Sequence, residues 1–291
     1  MEFMTLLMML FNGLVLGSYL VLLSLGLSII FGMLGVVNFA QGALYMLGAY
    51  AGYTLLSLGV DFWFTLLLVP LIVAAIAGIL EKLLIRHLYK EPDIYILLLT
   101  FGLMMVFEEI IRLIFGDLGK PIAAPEVLSG AVNLGFMYYP AYRLFIIVLM
   151  VVVSIGTWLF LTKTKLGSIV RAGTDDSPMV DALGINISRI YTGVFAFGAG
   201  LAGLAGILAG PIQEVTPLMG NDILVLIFVV VVIGGLGSIA GSIIAGLLIG
   251  EIITLGVLFW PEAAMTLVYV FMALILLFRP RGLFGRAGFH E

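Results

Sequence analysis

The chain has 291 residues and no cysteine, and its 13 basic and 17 acidic side chains give a formal net charge of −4. Hydrophobic residues make up 63% and charged residues 10% of it, whereas soluble domains are roughly 45–50% apolar and about 25% charged. This composition excludes a soluble enzyme, a nucleic-acid-binding protein, which needs a basic face, and a disordered chain, which is far less hydrophobic. It predicts an all-α, polytopic integral membrane protein.

Charged residues and Gly/Pro clusters divide the chain into nine apolar segments. Residues 3–60 carry no charge, and because a spanning helix needs about 20 apolar residues, this stretch holds two spans. The predicted spans are 5–31, 36–57, 62–80, 94–115, 143–162, 190–210, 222–234, 239–258 and 263–279. The segment 222–234 is short and could be a half-helix that ends at the glycines of 234–237. No long hydrophilic stretch separates the spans, so we expect one membrane domain, 1–291.

The basic side chains predict an orientation in the membrane. Most of the Lys and Arg residues fall in three segments, near 81–93, 163–189 and the C-terminal tail. They are Lys82, Arg86, Lys90, Lys163, Lys165, Arg171, Arg189, Arg279, Arg281 and Arg286. Nine crossings place the three segments on one side, and basic segments stay in the cytoplasm. We therefore expect the N-terminus outside and the C-terminus in the cytoplasm.

Polar residues in the first two spans are candidates for a substrate path. Asn38, Gln41 and Tyr45 recur at positions i, i+3 and i+7 and so share one helix face. Ser18 and Tyr19 lie in the preceding span. Lipid offers no hydrogen-bonding partner, so such groups must face protein or water. Two interpretations stay open: interhelical hydrogen bonds, worth about 0.6 kcal/mol each, or the lining of a translocation path.

Glu251 is an ionisable residue well inside its span with no partner nearby in sequence. Glu108 and Arg112, by contrast, form an i,i+4 pair that can satisfy itself. Intramembrane ionisable groups indicate function by default, so Glu251 could be a gate or a proton site. A hydrogen-bonded structural carboxylate is the favoured interpretation, because the core offers no relay of further acids.

Small residues in two spans predict tight helix packing. Residues 198–203 fit the GxGxxG dinucleotide fingerprint, but that motif needs a strand before it and a βαβ unit, and this stretch reads as a membrane helix. On a helix, small residues spaced four apart share one face and let two backbones approach closely. The residues with this spacing are Gly198, Ala202, Gly206, Gly210, Ser242, Gly246 and Gly250.

Sequence motifs for catalysis, metal binding and ATP hydrolysis are missing. The sequence contains no GxSxG nucleophile elbow and no HExxH zinc motif. Gly119-Lys120 is followed by Pro121, so no GxxxxGK[ST] phosphate loop exists. We expect no enzyme activity, metal or cofactor in this chain. If ATP drives transport, the ATPase must be another chain.

The segment 163–189 predicts a short helix that docks a cytoplasmic partner. Ser177 suits the N-cap, Pro178 the first helical position and Gly184 the C′ position, which defines a helix of about two turns. An exposed apolar patch is expected on this helix, flanked by carboxylates and formed by Met179, Val180 and Leu183. A helix lying on the membrane surface would be basic, so the docking interpretation is favoured.

Several motifs resemble those of the high-affinity branched-chain amino acid permeases, the membrane subunits of binding-protein-dependent ABC importers. In chain order they are Leu16–Tyr19, Phe31–Gly42, Arg171–Asn186, Ile233–Gly241 and Arg279–Gly285. The chain is similar to the shorter permease of the pair, the LivH type. Gln41 departs from the pattern, since many relatives have histidine there, and a neutral amide cannot carry a proton.

The resemblance implies a multi-subunit importer of the type II permease architecture. The partners would be a second, LivM-type permease, two cytoplasmic ATPases that hold ATP and Mg, and an extracytoplasmic substrate-binding protein. The docking segment would correspond to the coupling helix that enters a cleft on the ATPase. Its residues are Arg171, Asp175, Asp176, Pro178, Met179, Val180, Ala182, Leu183, Gly184 and Ile185.

The expected function is therefore that of a permease subunit of an ATP-driven importer in a bacterial inner membrane. Leucine, isoleucine and valine are the expected substrates by family frequency, with urea and short-chain amides as alternatives. After Glu2 the first 60 residues carry no charge, which fits a zwitterion or a neutral solute. A self-sufficient secondary transporter is the alternative class, and it would depend on Glu251.

Overall fold

The computed structural model describes residues 3–135 and 137–285, and helices dominate that part of the chain. The helices are α1 Phe3–Leu34, α2 Ala40–Ser57, α3 Phe62–Leu83, α4 Asp93–Phe115, α5 Ala141–Lys163, α6 Lys165–Asp175, α7 Ser177–Ala182, α8 Ile187–Ala209, α9 Met219–Gly234, α10 Ile239–Phe259 and α11 Ala264–Phe278. Short 3₁₀ turns cover Ile85–Leu88, Glu126–Leu128 and Pro261–Ala263. Strands β1 Ala131–Asn133 and β2 Tyr138–Pro140 pair antiparallel. The predicted all-α polytopic bundle is confirmed.

Seven helices in the described ranges are long and apolar enough to cross a membrane: α1, α3, α4, α5, α8, α10 and α11 with its preceding turn. Each of the nine predicted segments contains a helix, but two correspond to helices that do not meet these criteria. The helix in 36–57, α2, begins only at Ala40 and is less apolar because of its glycines and tyrosines. The helix in 222–234, α9, has 16 residues, about 24 Å, against a hydrocarbon core of about 30 Å. The chain is a multi-pass membrane protein.

Helices α1 and α8 form the buried centre of the bundle, and α2, α3 and α10 pack directly against them. Glycine lets these backbones approach closely, because a Cβ atom at the contact would overlap the facing helix. Gly198 of α8 lies against the Gly26 carbonyl of α1, Gly206 against the Tyr45 carbonyl of α2, and Gly250 of α10 against the Gly13 carbonyl of α1. Such contacts are typical of helix association in lipid.

The remaining small residues predicted at helix contacts also lie inside the bundle. Ala202 is fully buried, and Gly246 lies against Val21 of α1. Gly210 faces the side chain of Ile122, and the buried hydroxyl of Ser242 is hydrogen-bonded to Ser28 of α1. The GxGxxG stretch lies in the middle of α8.

One end of the bundle, which we name the α7 end, carries α6, α7 and the predicted basic segments. The C-terminal end of α3 meets the N-terminal part of α8 there through Glu81 and Thr192. The C-terminal segment joins the last turn of α9, where Leu283 N–H donates to the Ile233 carbonyl at 2.8 Å. Arg286, predicted on the same side, lies outside the described residues. The opposite end carries β1, β2 and the N-terminal part of α1.

Helix α9 begins inside the bundle rather than at its opposite end. Its Gly220 and Gly42 of α2 meet backbone to backbone, and its Leu224 packs with Met104, the middle residue of the 23-residue α4. The preceding residues, 210–218, have no regular helix. They connect the opposite end, where Val215 pairs with Lys120, to the start of α9 inside the bundle. This segment and α9 together run from the opposite end to the α7 end, and the 16 residues of α9 agree with the predicted half-helix.

Candidate functional site

Gln41 joins three helices in the centre of the bundle. Its side chain is fully buried, and its Nε2 donates to the Gly198 carbonyl of α8 at 3.2 Å and to the Leu23 carbonyl of α1 at 3.5 Å. Its Oε1 has no hydrogen-bonding partner among the described residues. Gln41 thus makes the interhelical bonds that the sequence left open, and its role in a translocation path stays a prediction.

The other candidate path residues do not form one hydrogen-bonded cluster among the described residues. Asn38 accepts a bond from the Ala40 N–H at 3.1 Å, before the first turn of α2, and Ser18 donates to the Leu14 carbonyl of its own helix. Tyr45 accepts from Gln213 Nε2 at 2.6 Å, next to the opposite end. The buried Tyr19 hydroxyl lacks a hydrogen-bonding partner in the described part of the chain.

Glu251 lies in α10 beside the backbone of Gly13 in α1. The residue is half-buried, and its Oε2 is enclosed with no hydrogen-bond donor among the described residues. The structure therefore separates Glu251 from Asn38 and Gln41 and places it on the α1–α10 contact.

The predicted docking helix is present as α7, with a different cap. Asp176 is the N-cap, and its carboxylate accepts from the Met179 N–H at 2.9 Å, so the prediction of Ser177 as N-cap is wrong by one residue. A carboxylate there also complements the positive end of the helix. Pro178 lies in the first turn, and Gly184 has φ +83°, as the C′ position favours.

The apolar patch on α7 is smaller than predicted. Met179 is 61% exposed and Leu183 72% exposed, whereas Val180 is 4% exposed. Val180 faces the protein because α7 packs against α6 and α8, two helices whose positions the segment's own sequence does not reveal. The exposed surface around the patch includes Arg171, Asp175, Asp176, Asp181 and Ala182, with Ile185 half-buried.

A polar cluster that the sequence analysis missed fixes the start of α8, just after α7. Glu81 of α3 is fully buried and forms an ion pair with Arg86 at 3.1 Å. Tyr89 donates to Glu81 Oε1 at 3.0 Å, and Thr192 of α8 lies 2.7 Å from Oε2. Arg86 also donates to the Ser188 carbonyl of α8 at 3.2 Å. We name Glu81, Arg86, Tyr89 and Thr192 the α3–α8 clamp.

The phenol of Tyr89 remains a donor in this clamp. Burial raises the pKa of Tyr89 well above its ordinary value, and the negative charge of Glu81 raises it further. A group that keeps its proton keeps donating to the carboxylate. No signal in the sequence pointed to the clamp, because Glu81 lies in the charged segment 81–93 and its partner Thr192 lies 111 residues away along the chain.

A cavity of about 310 Å³ lies at the α7 end, where four sequence motifs meet. Gly32 comes from the end of α1, Arg171 from α6, Ser238 from the glycine-rich turn before α10, and Phe284 from the C-terminal segment. Trp158 of α5 also lines it. Segments that are far apart in sequence therefore build one surface next to α6 and α7.

Comparison with known proteins agrees with this architecture. The family described as branched-chain amino acid transport system / permease component matches residues 9–278. The chain belongs to this family. It is 28% identical to the high-affinity branched-chain amino acid transport system permease protein LivH of Escherichia coli (strain K12), over 98% of this chain and 97% of that protein.

Two further relatives show the breadth of the family. BraD of Pseudomonas aeruginosa, a permease of the same description, is 29% identical over 94% of each chain. The longer LivM of E. coli K12 is 26% identical over 90% of this chain and 67% of that protein. No solved structure matches the fold significantly. The resemblance inferred from the motifs is confirmed, and both permease types are related to this chain.

Proposed function

We propose that this chain is the LivH-type permease subunit of an ATP-driven importer for branched-chain amino acids in the inner membrane. The observation that carries the proposal is α7, a capped helix of six residues in which Met179 is exposed and which is followed by the exposed Leu183. An isolated helix this short is not stable, and exposed apolar groups beside carboxylates favour a protein partner. The names of LivH and BraD support the substrate class.

The partners in this proposal are separate chains. ATP and Mg would be held by two ATPases, because this sequence has no phosphate-binding loop. A LivM-type permease is the proposed membrane partner, in view of the relative of that type. A binding protein would deliver substrate at the opposite end. The basic side chains at the α7 end support a cytoplasmic position for it, with the N-terminus outside.

The α3–α8 clamp gives this proposal a route for coupling. Only residues 183–186 separate α7 from α8, and the clamp ties the first turns of α8 to α3. A displacement of α7 by an ATPase would therefore move α8, which packs against α1, α2 and α3. Rigid-body movement of packed helices is a common form of such transitions.

The docking role of α7 is testable by charge insertion. Replacing Met179 and Leu183 together by Asp should release the ATPases while the membrane domain stays folded, because both side chains are exposed. Affinity purification of the tagged permease in mild detergent, with quantification of bound ATPase, measures the effect. Leu118→Asp, an exposed apolar position at the opposite end, is the matched control and should retain the ATPases.

The transport class is decided by the same purification from the native host. A second permease, two ATPases and ATP-dependent uptake of leucine in proteoliposomes are the expected result. A chain that purifies alone and moves solute without ATP would overturn the proposal and favour a secondary transporter. Retention of the ATPases by the Met179/Leu183 variant would overturn the docking assignment alone.

A further inference from the structure

Asp222 is an exposed carboxylate in the middle of the apolar body of the protein. It is the fourth residue of α9, two positions before Leu224, which packs on the middle residue of α4. Two residues correspond to about 3 Å along a helix, so Asp222 lies near mid-depth of a membrane-spanning helix. Its side chain forms no hydrogen bond or ion pair with any residue that the structure describes, and neighbouring Asn221 is exposed as well.

A carboxylate at this depth cannot face hydrocarbon. Charged residues in membrane segments face a water-filled space or pair with another group, and irregular backbone is tolerated there only where it is buried or lines water. The irregular segment 210–218 leads directly into α9. We therefore expect this segment and Asp222 to line the same water-filled surface. The predicted span 222–234 gave no indication that Asp222, its first residue, is exposed.

Polar side chains mark a route from the opposite end down to Asp222. Gln213 and Glu214 are exposed in the irregular segment, followed by Asn221 and Asp222 in the first turn of α9. Below that level the same face becomes apolar, with exposed Val225 and Phe228 at helical spacings of three and six residues. The exposed residues of this wall are therefore polar from the opposite end to mid-depth, except for Leu218, and apolar beyond it.

We infer that Asp222 is the membrane-embedded acceptor for the α-ammonium group of an aliphatic amino acid substrate. The charge of the wall is complementary, because it holds two carboxylates, Glu214 and Asp222. The exposed side chains of Leu218 and Val225 lie one helical turn on either side of Asp222 and would contact an aliphatic side chain. The Asn221 amide supplies donors for the substrate carboxylate.

This inference rests on the proposed function and names a substrate group that urea and amides lack. A basic residue of the second permease could pair with Asp222 instead, and the experiments are designed to separate these cases. Wild-type uptake of leucine driven by ATP tests the proposed function, and it is measured in the same proteoliposomes as every variant.

The first experiment replaces Asp222 in the complete reconstituted complex. For Asp222→Asn we expect at least a tenfold loss of leucine uptake per ATP hydrolysed, with subunit composition and ATPase activity within about twofold of wild type. Asp222→Glu should restore part of the uptake. Glu262→Gln removes an exposed carboxylate from the turn before α11 and should transport normally. Normal uptake by Asp222→Asn, or dissociation of the second permease, would overturn the inference.

The second experiment tests water access without changing Asp222. The chain has no cysteine, so Asn221→Cys introduces one thiol, and a membrane-impermeant methanethiosulfonate reagent should label it in the complex. Saturating leucine with its binding protein should slow labelling at least threefold. Val152→Cys is the matched control, since Val152 is the exposed middle residue of α5, and a thiol facing lipid does not ionise. Equal labelling at the two positions, or none at Asn221→Cys in any nucleotide state, would overturn the inference.

Discussion

Two carboxylates of this permease, one at the α7 end and one at mid-depth, have opposite surroundings. Glu81 is fully buried and has Arg86, Tyr89 and Thr192 around it, whereas Asp222 is exposed and no described residue pairs with it. A negative charge in the first turn of a helix gains about 0.3–1 kcal/mol from the dipole, but a charge at the bilayer centre costs roughly 2.5–3.5 kcal/mol. The dipole therefore does not account for Asp222, and no residue in the described ranges supplies a compensating group.

Burial and hydrogen bonding indicate different roles for these two carboxylates: Glu81 stabilises the fold, and Asp222 is available for function. Burying Glu81 is tolerable because three side chains from two segments, Arg86 and Tyr89 after α3 and Thr192 of α8, hydrogen-bond to it, and this fixes α3 against α8. Asp222 forms no such bond with any described residue. Substitutions of Glu81 or its partners should therefore change stability, and substitutions of Asp222 should change transport.

The largest expected effect is on stability, for Arg86→Ala. The variant leaves the Glu81 carboxylate buried without its ion-pair partner, and such losses cost about 3–5 kcal/mol. Thermal unfolding of the purified permease in detergent should show a markedly lower midpoint. Lys82→Ala, an exposed neighbour, should leave the midpoint unchanged. An unchanged midpoint for Arg86→Ala would show that water already solvates the clamp.

A smaller effect is expected for Tyr89→Phe. This variant removes one of several donors to Glu81, so a loss of about 1 kcal/mol is expected. The folded-state pKa of Tyr89 is raised by burial, so its contribution is complete below the unfolded value near pH 10 and falls as the pH rises beyond it. The unfolding midpoints of the wild type and Tyr89→Phe should therefore differ at pH 7 and approach each other above pH 10. Tyr95→Phe, exposed on α4, is the control.

The sequence predicted those features of the fold that depend on local pattern. The apolar segments, the small-residue faces of α8 and α10 and the docking helix follow from residue types at fixed spacing. The α3–α8 clamp could not be predicted, because Arg86 and Thr192 meet only after α3 and α8 pack. The same holds for Val180, whose burial depends on α6, and for Asp222, whose exposure depends on where α9 begins.

The smallest effect is expected for Glu251→Gln, since Glu251 is less buried than Glu81 and less exposed than Asp222. Glu251 is half-buried against Gly13, and one carboxylate oxygen lacks a donor. Packing between α1 and α10 thus explains its position. Glutamine has nearly the same shape as glutamate and should preserve this packing. ATP-driven leucine uptake by the complex should stay within about twofold of wild type between pH 6 and 8, while Asp222→Asn loses it. Complete loss of uptake in Glu251→Gln at every pH, with the complex intact, would instead make Glu251 a coupling residue and support the secondary-transporter class.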